Sequence, residues 1–262
     1  MVERYRRGGS KPKLLGNHQK CWIWGRDAVL ETLRAKTWAI VELLISDELS
    51  APERAEVDRL AADARVRVQV VEHNALRKQC HSSEHQGMIA KMTEFPYVAA
   101  GDLLEAEFES PLFLVLDSIQ DPYNFGAMIR TCDGLGVDAV IMADRGQVGV
   151  TSLVTRTSAG AVNYVPIVRV PDVAEVLTEL SARGVSSYAT DAEADTMCFD
   201  ADFGAPTAIV IGNEGVGLTE SVRAACTQSV AVPQVGHVDS LNAAISASVL
   251  LYEAARQRMT TY

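Results

Sequence analysis

No lysine occurs after Lys91 in this chain of 262 residues. Broad attraction to a polyanion is argued against both by that gap and by a net charge of -10. Also missing is any apolar run near the ~18 residues that cross a membrane, and the amino terminus lacks the hydrophobic core of a signal peptide. A cytoplasmic protein is the expectation. Cysteine is scarce: Cys21, Cys80, Cys132, Cys198 and Cys226 are scattered, odd in number and never in a C-x-x-C pair, so neither a disulfide framework nor a zinc ribbon is indicated. His81 and His85 stand four apart beside Cys80 without a completing ligand, and no metal site is expected.

What is present is ordered unevenly. Residues 1–20 carry Arg4, Arg6, Arg7, Lys11, Lys13 and Lys20 against Glu3, a local +5 that leaves -15 on the rest. This reads as a basic flexible tail that either touches phosphate or keeps the chain soluble. From Trp22 onward helical and strand patterns alternate: "GRDAVLETLRA" and "APERAEVDRLAADA" as helices, "AIVELLIS", "VRVQVV" and "GMIAKMTEF" as strands. They close a compact α/β unit over 21–95. Residues 96–110 read as a linker or short docking helix. Over 111–262, "LFLVLDS", "DAVIMA", "YVPIVRV", "SSYAT", "TAIVIG" and "SVAVP" are strand-like, with helices or loops between them, and a helix of about twenty residues closes the chain. That is the alternation of an open α/β sheet with parallel strands.

Such sheets bind ligands beyond the carboxyl ends of their strands, so three junctions matter: "DSIQDPYNFGAMIR", "GNEGVGLTE" and "PQVGHVDSLNAA". Gly212, Gly215 and Gly217 either let backbone approach a ligand or permit a sharp turn. Their spacing is G-x-x-G-x-G, not the dinucleotide G-x-G-x-x-G, and no G-K-[ST] follows, which disfavours a nicotinamide-dependent dehydrogenase. Glu214 would repel phosphate. Asn124 reads as a helix cap, and Asp239 or Ser240 as another. Asn242 lies too deep to cap as well and suggests a binding face. Arg130, just inside a helix whose positive end repels it, is either a surface residue or is meant for an anion arriving there.

Taken together, "NFGAMIRT", "IVIGNEGVGL" and "VPQVGHVDSLNAAISASVLLYEAARQR" resemble the three ordered motifs of the SpoU family of RNA 2'-O-ribose methyltransferases. "IWGRDAVLETL" and "EHQGMIA" resemble the ribosomal-protein-L30e-like substrate-binding domain these enzymes often carry. Val235–His237 depart from the usual residues, which bears on substrate detail. The resemblance implies a knotted methyltransferase domain, S-adenosylmethionine as cofactor, a homodimer with a composite active site and RNA as substrate, with a guanosine of large-subunit ribosomal RNA favoured over transfer RNA. It implies Asn124, Arg130, Glu214, Ser240 and Asn242 as the catalytic group, and Thr190, Gly212, Gly217, Val232 and Leu241 at the cofactor. Family accounts make the arginine a base. A guanidinium with a pKa above ~12 is a poor proton acceptor, so Arg130 is better suited to hold an RNA phosphate and stabilise the developing alkoxide. A non-catalytic RNA-binding protein of the same fold is the alternative.

Overall fold

The computed structural model describes residues 13–16, 21–238 and 240–259. Most of the basic tail, and Asp239, lie outside the described residues. In chain order the elements are β1 (Trp22–Trp24), α1 (Arg26–Ala35), β2 (Ile40–Ser46), α2 (Ala51–Ala64), β3 (Val68–Val71), α3 (His73–Cys80) and β4 (Met88–Met92). There follow β5 (Val98–Ala99), α4 (Ala100–Glu105), β6 (Leu112–Leu116), α5 (Pro122–Gly134), β7 (Ala139–Ala143) and α6 (Ser152–Thr157). The chain continues through β8 (Ile167–Val170), α7 (Val173–Ala182), β9 (Ser186–Thr190), β10 (Thr207–Ile211), α8 (Glu220–Ala225), β11 (Gln228–Val230) and α9 (Ala243–Met259). Among the described residues, no helix is long and apolar enough to cross a membrane.

Two compact units divide the chain, residues 1–96 with 150–164, and residues 97–149 with 165–262. The first is built on a four-stranded sheet of order β1-β4-β2-β3, antiparallel except for the β2–β3 pair. The segment 150–164, expected within the second domain, belongs to this unit. Its Asn163 Nδ2 donates to Thr32 Oγ1 of α1 at 3.1 Å, and its Arg156 pairs with Glu84. Neither contact has a signature in local sequence, because each joins residues far apart along the chain.

The second unit holds a sheet of order β11-β9-β10-β6-β7-β8-β5 whose paired strands all run parallel. The stretch expected as a linker contributes β5, which pairs with β8, and α4. β6 and β10 are buried at every position, which explains their unbroken apolar sequences. Chain order runs outward from β6 through β7 to β8, then resumes beyond β10, so the direction of winding reverses between β6 and β10. A crevice opens at such a reversal, outside the carboxyl ends of the strands.

Packed on this sheet is α9, which touches α5 and β10. Arg258 fixes the end of the helix by donating to the carbonyls of Phe203, Ser110, Pro111 and Ala205 at 2.6–3.0 Å. Burial pushes its guanidinium pKa below the usual value, yet four carbonyl acceptors satisfy the charge.

Candidate active site

At the reversal, the loops after β6 and β10 are tied by side chains that local pattern reading passed over. Asp117, buried directly after β6, accepts from Thr219 N at 2.7 Å and from Thr219 Oγ1 at 2.8 Å. Ser118 next to it takes a left-handed backbone, φ 64°, unusual for a residue with a side chain. Its carbonyl accepts from Asn213 Nδ2 at 2.8 Å. Asn213 Oδ1 in turn accepts from the backbone N–H groups of Gly215 and Val216 at 2.9 and 3.1 Å, which folds the glycine loop back on itself. Asn213 and Gly217 complete the turn with two backbone hydrogen bonds. The one signal available beforehand was a polar residue standing at the carboxyl end of each apolar strand.

This turn decides what its glycines do. A Cβ on Gly212 would lie 2.4 Å from Gly217 C and 2.4 Å from Leu218 N, so the chain's own backbone requires glycine there. Gly217 has φ 71°, which requires it for conformation. Both glycines are therefore needed by the turn itself.

Glu214 projects from the turn toward α5. Its Oε1 accepts from Asn124 Nδ2 at 3.0 Å and from Asp121 N at 3.3 Å, and its Oε2 accepts from Gln120 N at 3.3 Å. Burial opposes ionisation more than any single hydrogen bond favours it, but together the bonds from Asn124 and the backbone hold this carboxyl below the usual range. Asn124 Oδ1 then accepts from Asn242 Nδ2 at 2.9 Å, and Asn242 Oδ1 accepts from Ala244 N at 2.9 Å and Ile245 N at 3.3 Å. The direction of this relay is dictated from both ends. An ionised carboxylate can only accept, and a helix amino terminus can only donate, so each amide between them has one workable orientation.

Two expectations about caps are corrected here. Asp121, whose side chain accepts from Tyr123 N, caps α5, while Asn124 lies one turn inside, 8% exposed. Asn242 is itself the cap of α9, because that helix starts at Ala243, later than the sequence pattern suggested. Ser240 is exposed two residues before it.

The remaining expected residues fall into three groups. Val232 and Leu241 are half-buried after β11 and before α9. Thr190 ends β9, the strand between β10 and β11, with its hydroxyl donating to Val210 O at 2.9 Å. Arg130 is not brought into the relay. Six residues beyond Asn124 it points about 120° away around the helix and sits about 9 Å further along it, exposed, with no hydrogen bond or ion pair to a described residue.

A family model described as the SpoU rRNA methylase family matches residues 111–252. The chain belongs to the SpoU family of RNA methyltransferases. A second model, for RNA 2'-O ribose methyltransferase substrate binding, matches residues 22–98 of this SpoU protein. It is 33% identical over 245 residues to YacO, a TrmH family protein of Bacillus subtilis, covering 92% of this chain and 98% of YacO. It is also 33% identical to the 23S rRNA (guanosine-2'-O-)-methyltransferase RlmB of Shewanella oneidensis, covering 90% of this chain and 97% of RlmB. The crystal structure of the SpoU methyltransferase AviRb from Streptomyces viridochromogenes, in complex with AdoMet, superposes with a TM-score of 0.78 at 29% identity, covering 94% of this chain and 96% of AviRb.

Proposed function

We propose that this SpoU methyltransferase uses S-adenosylmethionine to methylate the ribose 2'-hydroxyl of a guanosine in large-subunit ribosomal RNA. The observation that carries the reading is the relay from Glu214 through Asn124 to Asn242, which ties together all three motif segments at the reversal of strand order. RlmB supports the ribosomal guanosine, and AviRb with its bound AdoMet supports the cofactor. The donor set proposed for the cofactor suits it: backbone groups of 212–218 and 231–238, the half-buried Val232 and Leu241, and an ionised carboxylate compatible with a cation but not with a diphosphate. When bound, the cofactor supplies an electrophilic methyl group. Gly212, Gly217, Val232, Leu241 and Thr190 line its place, Glu214 and Asn124 keep the loops registered, and Asn242 with Ser240 faces the ribose. Arg130 holds the adjoining phosphate and stabilises charge developing on the 2'-oxygen.

The active protein is a homodimer with a composite site. Ile245, Val249 and Tyr252 on α9, and Tyr123 on α5, are exposed apolar side chains on helices packed together, a surface that a second copy would cover. The exposed Arg130 then serves a site completed by the partner. The second unit, residues 97–149 and 165–262, is a trefoil-knotted methyltransferase domain, and the first is an L30e-like RNA-binding domain with a basic tail at 1–20; the protein works in the cytoplasm. Transfer of labelled methyl from S-adenosylmethionine to ribosomal RNA, with the 2'-O-methylated position mapped in cells with and without the gene, tests the activity and target. Loss of no methylation on deletion, with no transfer in vitro to ribosomal or transfer RNA, leaves the non-catalytic alternative. Light scattering that finds a monomer at micromolar concentration removes the composite site.

A further inference from the structure

Residues 97–149 and 165–262 hold seven arginines and no lysine. Four are consumed internally: Arg223 by Asp191, Arg256 by Glu253, and Arg183 and Arg258 by backbone carbonyls. The side chains of the other three, Arg130, Arg145 and Arg169, make no hydrogen bond or ion pair with a described residue. Arg130 has a role above. Arg145 and Arg169 do not.

Both belong to the carboxyl edge of the parallel sheet. Arg145 follows β7 by two residues and is exposed, while Arg169 is the penultimate residue of β8, paired in register with Met142 of β7. The guanidinium of Arg169 lies over the Tyr97 ring, 3.6 Å from its centroid, which fixes the plane of the donor fork. Gly149 leaves space for this pair: a Cβ there would come within 2.8 Å of Arg169 Nη2 and 3.0 Å of Tyr97 Oη. Within the same edge, Gln147 Oε1 accepts from Ile119 N at 3.1 Å, which joins the loop after β7 to the loop after β6.

Two buried donors in this region have no acceptor among the described residues, Arg169 Nε and Gln147 Nε2. A buried donor without a partner is costly, and two of them at the carboxyl end of one sheet point to an acceptor that arrives from outside. It must be acceptor-rich and anionic, since arginine offers only donors. We infer that Arg169, Gln147 and Arg145 form a second backbone-binding strip that takes a phosphodiester of the RNA strand flanking the methylated nucleotide, next to the loop after β6. The inference rests on the RNA methylation proposed above. In an acidic protein such a strip concentrates the few free cations where the strand must pass.

The test uses the full-length protein and a transcript of large-subunit ribosomal RNA, with binding followed by fluorescence anisotropy across a salt series. Arg169→Gln should weaken binding about 5- to 50-fold and lower the slope of log K against log salt by roughly 0.9, the share of one phosphate contact. It should raise KM for RNA with kcat within about two-fold and leave S-adenosylmethionine affinity unchanged. Arg169→Lys, which keeps charge without the stacked fork, should retain the slope and lose part of the affinity. Arg183→Gln removes equal charge at the opposite edge of the sheet and should change neither. If Arg169→Gln fails to fold, Arg145→Gln in the exposed loop carries the same expectation for the slope. Wild-type affinity and slope in the Arg169 and Arg145 variants, or an equal loss in Arg183→Gln, overturns the strip while methylation by the wild type leaves the proposed function standing. A wild-type protein that neither binds nor methylates RNA overturns both.

Discussion

Changing Asn242 to alanine removes two things at once, the acceptor that caps α9 and the donor that satisfies Asn124. A lost side-chain cap costs about 1 kcal/mol. Asn124 is 8% exposed, so its Oδ1, now unpaired, adds about 1–3 kcal/mol. The expected total is about 2–4 kcal/mol, which for a domain of this size lowers Tm by roughly 5–15 °C. Asn242→Asp separates the two contributions. Its carboxylate still accepts from Ala244 N and Ile245 N, and the helix amino terminus favours the negative charge, but it has no N–H to give Asn124. That variant should therefore fall between alanine and wild type. Circular dichroism melts at one fixed protein concentration measure both, because association would otherwise move Tm. An Asn242→Ala protein melting within about 1 °C of wild type would mean that the relay holds nothing together, and the ordering argued from its two ends would be wrong.

Gly212→Ala should destabilise the unliganded protein, and by a similar amount with S-adenosylmethionine present, since the clash is with Gly217 and Leu218 backbone; a melt unchanged without cofactor but weakened binding by calorimetry would shift the cause to the ligand. Glu214 has a folded pKa below its ordinary 4.5, so its anchoring is complete above that value and lost as pH falls through the folded one. Cofactor affinity should accordingly be flat across neutral pH and drop only in acid, and a titration midpoint near neutrality would contradict the hydrogen bonds assigned to it. Arg130→Ala should nearly abolish single-turnover methyl transfer at saturating cofactor yet leave cofactor affinity within a few-fold, with Arg130→Lys keeping a small part of the activity; near-normal rates in alanine would return Arg130 to the ordinary surface. Cys132 is fully buried, and Cys226 is pushed up to about 11 by burial, so both should resist alkylation in the native protein; rapid labelling of either at neutral pH would show that the second unit opens readily.

The α/β class, the buried parallel strands and the three strand-end loops were legible in the amino-acid sequence because each leaves a local mark: an unbroken apolar run such as "LFLVL", a glycine cluster, a polar residue where a strand stops. The family resemblance was legible for the same reason, since its motifs are contiguous. Tertiary structure alone decided the rest. Asn124 and Asn242 are 118 positions apart, and which of them caps a helix depends on where that helix begins, a choice made by packing on the sheet rather than by propensity. Gly212 is needed because Gly217 returns against it, Asp117 matters because Thr219 comes within reach, and residues 150–164 join the first unit through contacts with Thr32 and Glu84. Local pattern carries periodicity and turn chemistry over a few residues. Hydrogen-bond partners drawn from distant segments leave no periodic trace, and the active site is made mostly of those.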